Sequence, residues 1–105
     1  MMPDNLSITR SDESTLQLNG EISHQSASDA ILSLSKAIVA HSGKGLTIEL
    51  SGLISVNSTV LSVLLTGLRV AKQNSCKLQY NNLSERLFNM ARVGGVESVL
   101  TNVDI

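Results

Sequence analysis

The sequence predicts an α/β domain in which helices cover one face of a single sheet, leaving the other face polar and at least partly wet. Three observations carry that expectation. Each strand-like segment alternates apolar and polar residues, the pattern of a strand with one face buried. Each helix-like segment carries an apolar stripe at intervals of three and four residues. The segments follow one another as β-β-α-β-α-β-α, and no repeat, linker or low-complexity tract interrupts them. With 105 residues, the chain is expected to form one domain over 1–105 with a single modest core.

The elements follow in order. Leu6-Ser7-Ile8-Thr9 and Thr15-Leu16-Gln17-Leu18-Asn19 alternate on either side of Ser11-Asp12-Glu13-Ser14, whose composition suits a turn, so they read as a hairpin closed by Gly20-Glu21-Ile22. Ser26 stands three residues before Asp29, a capping-box-like helix start in which Asp replaces the usual Glu or Gln. Ala27, Ala30, Ile31, Leu34 and Ile38 then form one stripe, and His41-Ser42-Gly43 ends that helix. Leu46-Thr47-Ile48-Glu49-Leu50 is the central strand, and Val60 to Lys72 is the central helix, with Leu61, Leu64, Leu65 and Leu68 at helical spacing. Cys76-Lys77-Leu78-Gln79-Tyr80 alternates again, with Cys76, Leu78 and Tyr80 on one face, before Asn81-Asn82 breaks it. Leu83, Leu87, Met90 and Ala91 make the last stripe, which Gly94-Gly95 terminates; Val96 to Leu100 is too short to assign. Leu16, Leu18, Ile48, Leu50 and Leu78 are the expected sheet core.

The central helix is more apolar than a helix on a sheet requires. Wound at about 100° per residue, its apolar residues cover well over half the circumference, Val60, Val63, Gly67 and Val70 widening the leucine edge. A stripe a little over 100° wide would suffice to cover a sheet. The excess must meet a neighbouring helix or another protein. Just before this helix stand Asn57-Ser58-Thr59, three amide or hydroxyl side chains where backbone N–H groups are unpaired and partial positive charge accumulates. Each is first a capping candidate, worth about 1 kcal/mol where it caps. The functional question is whether Ser58 caps only, or also receives a partner.

Composition excludes several classes. A net charge of −1 and only two aromatic residues, Phe88 and Tyr80, argue against electrostatic or base-stacking recognition of nucleic acid. No apolar run approaches the ~20 residues that cross a bilayer, and the first residues lack the regions of a signal peptide, so the cytoplasm is the expected compartment. Cys76 is alone, and His24 and His41 have no neighbours that suggest a triad or a metal site. Gly43-Lys44-Gly45 fails as a phosphate-binding loop, because Gly45 stands where Ser or Thr should follow the lysine. The expectation is a protein without catalytic residues, cofactor or metal.

Several pieces of the chain together resemble a STAS domain, the module shared by sulfate transporters and anti-sigma factor antagonists. Gly20-Glu21-Ile22 is similar to that family's Gly-Glu-Leu. Glu49-Leu50-Ser51, followed by Asn57-Ser58-Thr59 and a leucine-rich helix, resembles its Asp-Leu-Ser … Asp-Ser/Thr-Ser/Gly-Gly segment at matching spacing. The resemblance implies a small mixed sheet with helices on one side and a protein-binding role. Within the family the likeness is closest to the cytoplasmic STAS subunits of Mla-type phospholipid ABC transporters of Gram-negative envelopes. It rests on Leu61-Ser62-Val63-Leu64-Leu65, Leu68-Arg69-Val70-Ala71-Lys72, Asn82-Leu83-Ser84, Ala91-Arg92-Val93 and Gly95-Val96-Glu97-Ser98-Val99-Leu100.

That likeness implies a non-catalytic accessory subunit, peripheral to the inner membrane and not inserted in it. It would bind and support the transporter's ATPase subunit in maintaining outer-membrane lipid asymmetry. Carried over by position, the partner-binding residues would be Asn57, Ser58, Thr59, Val60, Val63, Gly67 and Val70. The alternative is an anti-sigma factor antagonist whose Ser58 is phosphorylated by a partner serine kinase. Asn57 in place of the usual Asp, and Thr59-Val60 in place of small residues, weaken the phosphorylation reading more than the docking one. Ser84 also departs from the subfamily, which has Pro there.

Overall fold

The computed structural model describes residues 7–54 and 56–95. Within them the order is β1 (Ser7–Asp12), β2 (Thr15–Gly20), α1 (Ala27–Ala40), β3 (Gly45–Leu53), α2 (Ser58–Gln73), β4 (Lys77–Asn81) and α3 (Glu85–Val93). The segment Val96 to Leu100 lies outside the described residues. The sheet runs β1-β2-β3-β4, antiparallel between β1 and β2 and parallel across the other two pairs. It is the mixed sheet that the family resemblance implies.

Alternation fixes which face is covered. Leu16 and Leu18 of β2, Leu46, Ile48 and Leu50 of β3, and Leu78 and Tyr80 of β4 are all buried, as is Cys76 just ahead of β4. Between them Gln17, Thr47 and Glu49 are half-buried, and Lys77 and Gln79 are exposed. The three helices lie on the apolar face, where Leu34 and Ile38 of α1, Val60, Val63 and Leu64 of α2, and Leu87 and Ala91 of α3 complete one core. The Tyr80 hydroxyl donates to the Leu64 carbonyl at 2.7 Å, so the one polar atom this ring carries into the core is paired. Burial drives its phenol well above the ordinary tyrosine range.

Local chemistry shifts several element ends from their expected places. β1 continues through Asp12, where the sequence suggests a turn, and the loop is only Glu13-Ser14; Asp12 Oδ1 accepts the Ser14 N–H at 2.8 Å, an Asx-type closure. That bond is the main reason the Asp12 carboxyl sits below its usual range. β3 is longer than the alternation alone predicts, reaching Leu53 through a register shift against β2 between Gln17 and Asn19. Gly52 lies at this irregularity: a Cβ there would come within 2.7 Å of the Leu18 carbonyl and would also strike the Asn19 side chain. Gly20 leaves β2 with φ +94°, a conformation that favours glycine, and lets Ile22 turn into the core.

The starts of α1 and α3 are closed in different ways. Ser26 is the N-cap residue of α1 but makes no side-chain cap; its buried hydroxyl instead accepts the Ser23 N–H at 2.8 Å. The expected capping box is therefore absent, and the loop before α1 uses Ser26 to close on itself. Ser84 caps α3, accepting the Leu87 N–H at 3.1 Å. The serine that stands where the subfamily has proline thus stabilises the same helix start by a different means.

Candidate functional site

Asn57 decides what Ser58 is free to do. Asn57 sits at the N-cap of α2 with extended backbone, and its Oδ1 accepts the Val60 N–H at 3.0 Å. Ser58 is the first helical residue, and its side chain is exposed. The helix start is capped without the Ser58 hydroxyl. Thr59 is half-buried, and Val60 turns fully into the core.

Ser58 forms part of the wall of a groove of about 700 Å³ between the N-terminal half of α2 and the length of α3. Leu61 lies one turn further along the same wall. The opposite wall is α3, with Glu85 and Arg86 in its first turn and Asn89, Met90 and Val93 beyond. Met90 is half-buried and Val93 is 88 % exposed. The groove therefore combines apolar side chains with a hydroxyl and two side chains of opposite charge at the end where both helices begin. Such a surface can receive an apolar, helical or extended segment of another protein. Among the described residues there is no group of His, Cys, Asp and Glu able to hold a metal ion.

The structure divides the residues expected to bind a partner. Asn57 and Ser58 are exposed and Thr59 is half-buried, and Ser58 lies in the groove wall. Val60, Val63 and Gly67 lie inside: Val60 and Val63 are 0 % and 1 % exposed, and Gly67 is buried. These three are corrected from partner surface to core. The reason is the position of α2, which packs against α1 on one side and α3 on the other as well as against the sheet. A helix with three neighbours needs the wide apolar arc for its own domain. Gly67 marks a close approach of α2 to α1 and β4, since a Cβ there would lie 2.5 Å from the Tyr80 hydroxyl and 2.7 Å from Leu34 Cδ2. Val70 is half-buried against the core, and its carbonyl accepts the Asn74 side-chain amide at 2.8 Å, a role in the end of α2.

Sequence reasoning missed the α3 wall. Met90 counted as an inward residue of the last stripe, yet it lines the groove instead of joining Leu87 and Ala91 in full burial. The available signal was Val93, an apolar residue off the stripe. Beyond the groove, Asn82, at φ 60°, donates its amide to the Glu49 carboxylate, tying the end of β4 to the open face of β3. That bond is the leading reason Glu49 lies below the usual carboxylate range.

Comparison with known proteins agrees with this architecture. Among solved structures the fold is similar to that of the anti-sigma factor antagonist SpoIIAA in its unphosphorylated form, with a TM-score of 0.67 at 15 % identity over 89 % of this chain and 83 % of that one. At that identity the likeness concerns the fold. No curated protein sequence is a significant match. Residues 7–101 match the family described as Mlab, STAS domain. With that match spanning nearly the whole chain, and with the mixed sheet, one-sided helices and exposed serine at the start of α2, this protein belongs to the Mlab-type STAS-domain family.

Proposed function

We propose that this chain is a non-catalytic accessory subunit that docks on the ATPase subunit of a phospholipid ABC transporter, with the α2–α3 groove as its contact surface. The observation that carries the reading is the groove itself, in which Ser58, spared from capping by Asn57, lies beside Leu61, Met90 and the protruding Val93. Membership of the Mlab-type family supports the choice of partner class. The contribution is binding: apolar residues of the partner would bury Leu61, Met90 and Val93, while polar groups meet Ser58, Glu85 and Arg86 at the rim.

The test uses one substitution on each wall. Ser58→Asp suits a helix N-terminus and Val93→Lys suits a helix C-terminus, so both folds should persist. Each nevertheless places an unmatched charge in the contact and should weaken binding by about tenfold or more. Titration of the purified ATPase subunit with wild type and each variant, with melting curves as controls, measures this. Two folded variants that bind as tightly as wild type would remove the groove from the interface.

A second reading is favoured by one observation. A serine hydroxyl that is exposed at a helix start and unused as a cap suits a phosphoacceptor, because the helix N-terminus can hold the added charge. On that reading the chain is an anti-sigma factor antagonist and Ser58 is its phosphosite. Co-purification separates the two: a transporter ATPase supports the first reading, and a serine kinase with no transporter component supports the second.

A further inference from the structure

His41 is buried at the C-cap of α1, and both of its ring nitrogens face backbone carbonyls. Nδ1 is 2.8 Å from the Ala37 oxygen, one turn back in α1, and Nε2 is 2.9 Å from the Glu13 oxygen in the β1–β2 turn. Carbonyl oxygens only accept hydrogen bonds. A neutral imidazole has one N–H and one lone pair, so it can satisfy one of these contacts and must oppose lone pair to lone pair at the other. Only a ring with protons on both nitrogens donates to both.

We infer that the His41 ring is a proton-loaded latch that joins the β1–β2 turn to the C-terminal end of α1 only while both of its nitrogens carry protons. The ring sits where the carbonyl ends of α1 concentrate negative potential, and that last turn holds no other basic residue. The Glu13 oxygen also accepts from Arg10 Nη1 at 3.2 Å, which turns both of its lone-pair directions toward donors. The ionisable groups on the surrounding elements are Arg10, Asp12 and Glu13 of the hairpin, Asp29 and Lys36 of α1 and Lys44 of the following loop, all exposed. None of these side chains hydrogen-bonds to the ring, so the two carbonyls are what hold its protons.

The latch reaches β3 as well. The Thr47 N–H donates to the Ser14 oxygen at 2.8 Å, so seating the turn through Glu13 also seats the start of β3. This is the end of the sheet opposite the approach to α2, so the latch is independent of the docking groove. The sign follows from the proton count: the closed latch holds one proton more than the open latch with a neutral ring. Raising the pH therefore opens it.

The experiment is nitrogen-15 NMR on the full chain, with exposed His24 as an internal reference. Below the imidazole range, His41 should show two protonated ring nitrogens whose protons exchange slowly. Raising the pH should deprotonate the ring and, in the same step, speed hydrogen exchange at the Thr47 amide by about tenfold beyond its intrinsic pH dependence, the loss of one hydrogen bond. His41→Gln carries both amide protons on one nitrogen and cannot span the two carbonyls, so it should abolish that step. A ring that is neutral at Nδ1 or Nε2 with the turn still seated, or Thr47 exchange indifferent to ring titration, would overturn the inference. The ring spectrum needs no variant, so the question is decided even if His41→Gln does not fold.

Discussion

Replacing Gly67 with alanine places one methyl group where α2, α1 and β4 meet. The added Cβ would lie 2.5 Å from the Tyr80 hydroxyl oxygen and 2.7 Å from Leu34 Cδ2. Ordinary contact distances are about 3.5–4.0 Å, so each neighbour must withdraw by roughly 1 Å. Neither moves freely. The Tyr80 hydroxyl is held by the Leu64 carbonyl, and Leu34 is 2 % exposed inside the core. Overpacking of this kind costs about 1–3 kcal/mol, and the better helix propensity of alanine returns about 1 kcal/mol. The expected net loss therefore runs up to about 2 kcal/mol, with a fall in Tm of about 4–8 °C for each kcal/mol in a domain of this size.

Tyr80→Phe alone should cost about 1 kcal/mol for the lost hydrogen bond, and it removes one of the two atoms the new methyl meets. The double variant should thus be more stable than the sum of the single losses predicts, by about 0.5 kcal/mol or more. Urea unfolding followed by circular dichroism on the four proteins of the cycle measures each term. A Gly67→Ala protein more stable than wild type, or a strictly additive cycle, would refute the argument that close approach of α2 to Tyr80 requires glycine.

The other predictions concern the helix start, the core and the open face. Asn57→Ala should lower stability by about 1 kcal/mol, whereas Ser58→Ala should change it by less than about 0.5 kcal/mol, because Asn57 makes the cap; denaturant midpoints distinguish them. Val63→Asp buries an unpaired carboxylate at a residue 1 % exposed and should cost more than about 4 kcal/mol, so the chain should lose cooperative unfolding before any effect on a partner can be read. Glu49 has a lowered folded-state value, which means its bond to Asn82 favours the fold above the unfolded carboxylate range and fades as pH falls through the folded value. Asn82→Ala should move the Glu49 titration, followed by carbon-13 NMR, back up toward an ordinary glutamate, and an unmoved titration would show that Asn82 is not the cause.

Much of this was legible in the linear chain because it depends on periodicity. Alternation in β2, β3 and β4 determined which residues face the helices, and Leu16, Leu18, Ile48, Leu50 and Leu78 are all buried. The stripes of α1 and α3 and the order of elements follow from the same local rule, that a side chain's direction repeats every two residues in a strand and every 3.6 in a helix. The segment Asn57-Ser58-Thr59 was likewise recognisable as the start of a helix, since unpaired N–H groups call for such residues.

Only the tertiary structure decided what lies against what. Periodicity shows that α2 has an apolar arc too wide for a sheet, but not whether the excess meets α1 and α3 or another protein; packing between two helices assigned Val60, Val63 and Gly67 to the core. Which of three adjacent polar residues caps α2 depended on backbone angles, and Asn57 took the role by adopting the extended conformation that aims its Oδ1 at the Val60 N–H. The groove required Ser58 and Leu61 to stand opposite Met90 and Val93, more than 25 residues away in sequence and brought close by the packing of α3 beside α2. His41 met Glu13 the same way, 28 residues apart. A residue's face is a property of its own segment, whereas its neighbour across a groove or a hydrogen bond is set by how separate segments share one core.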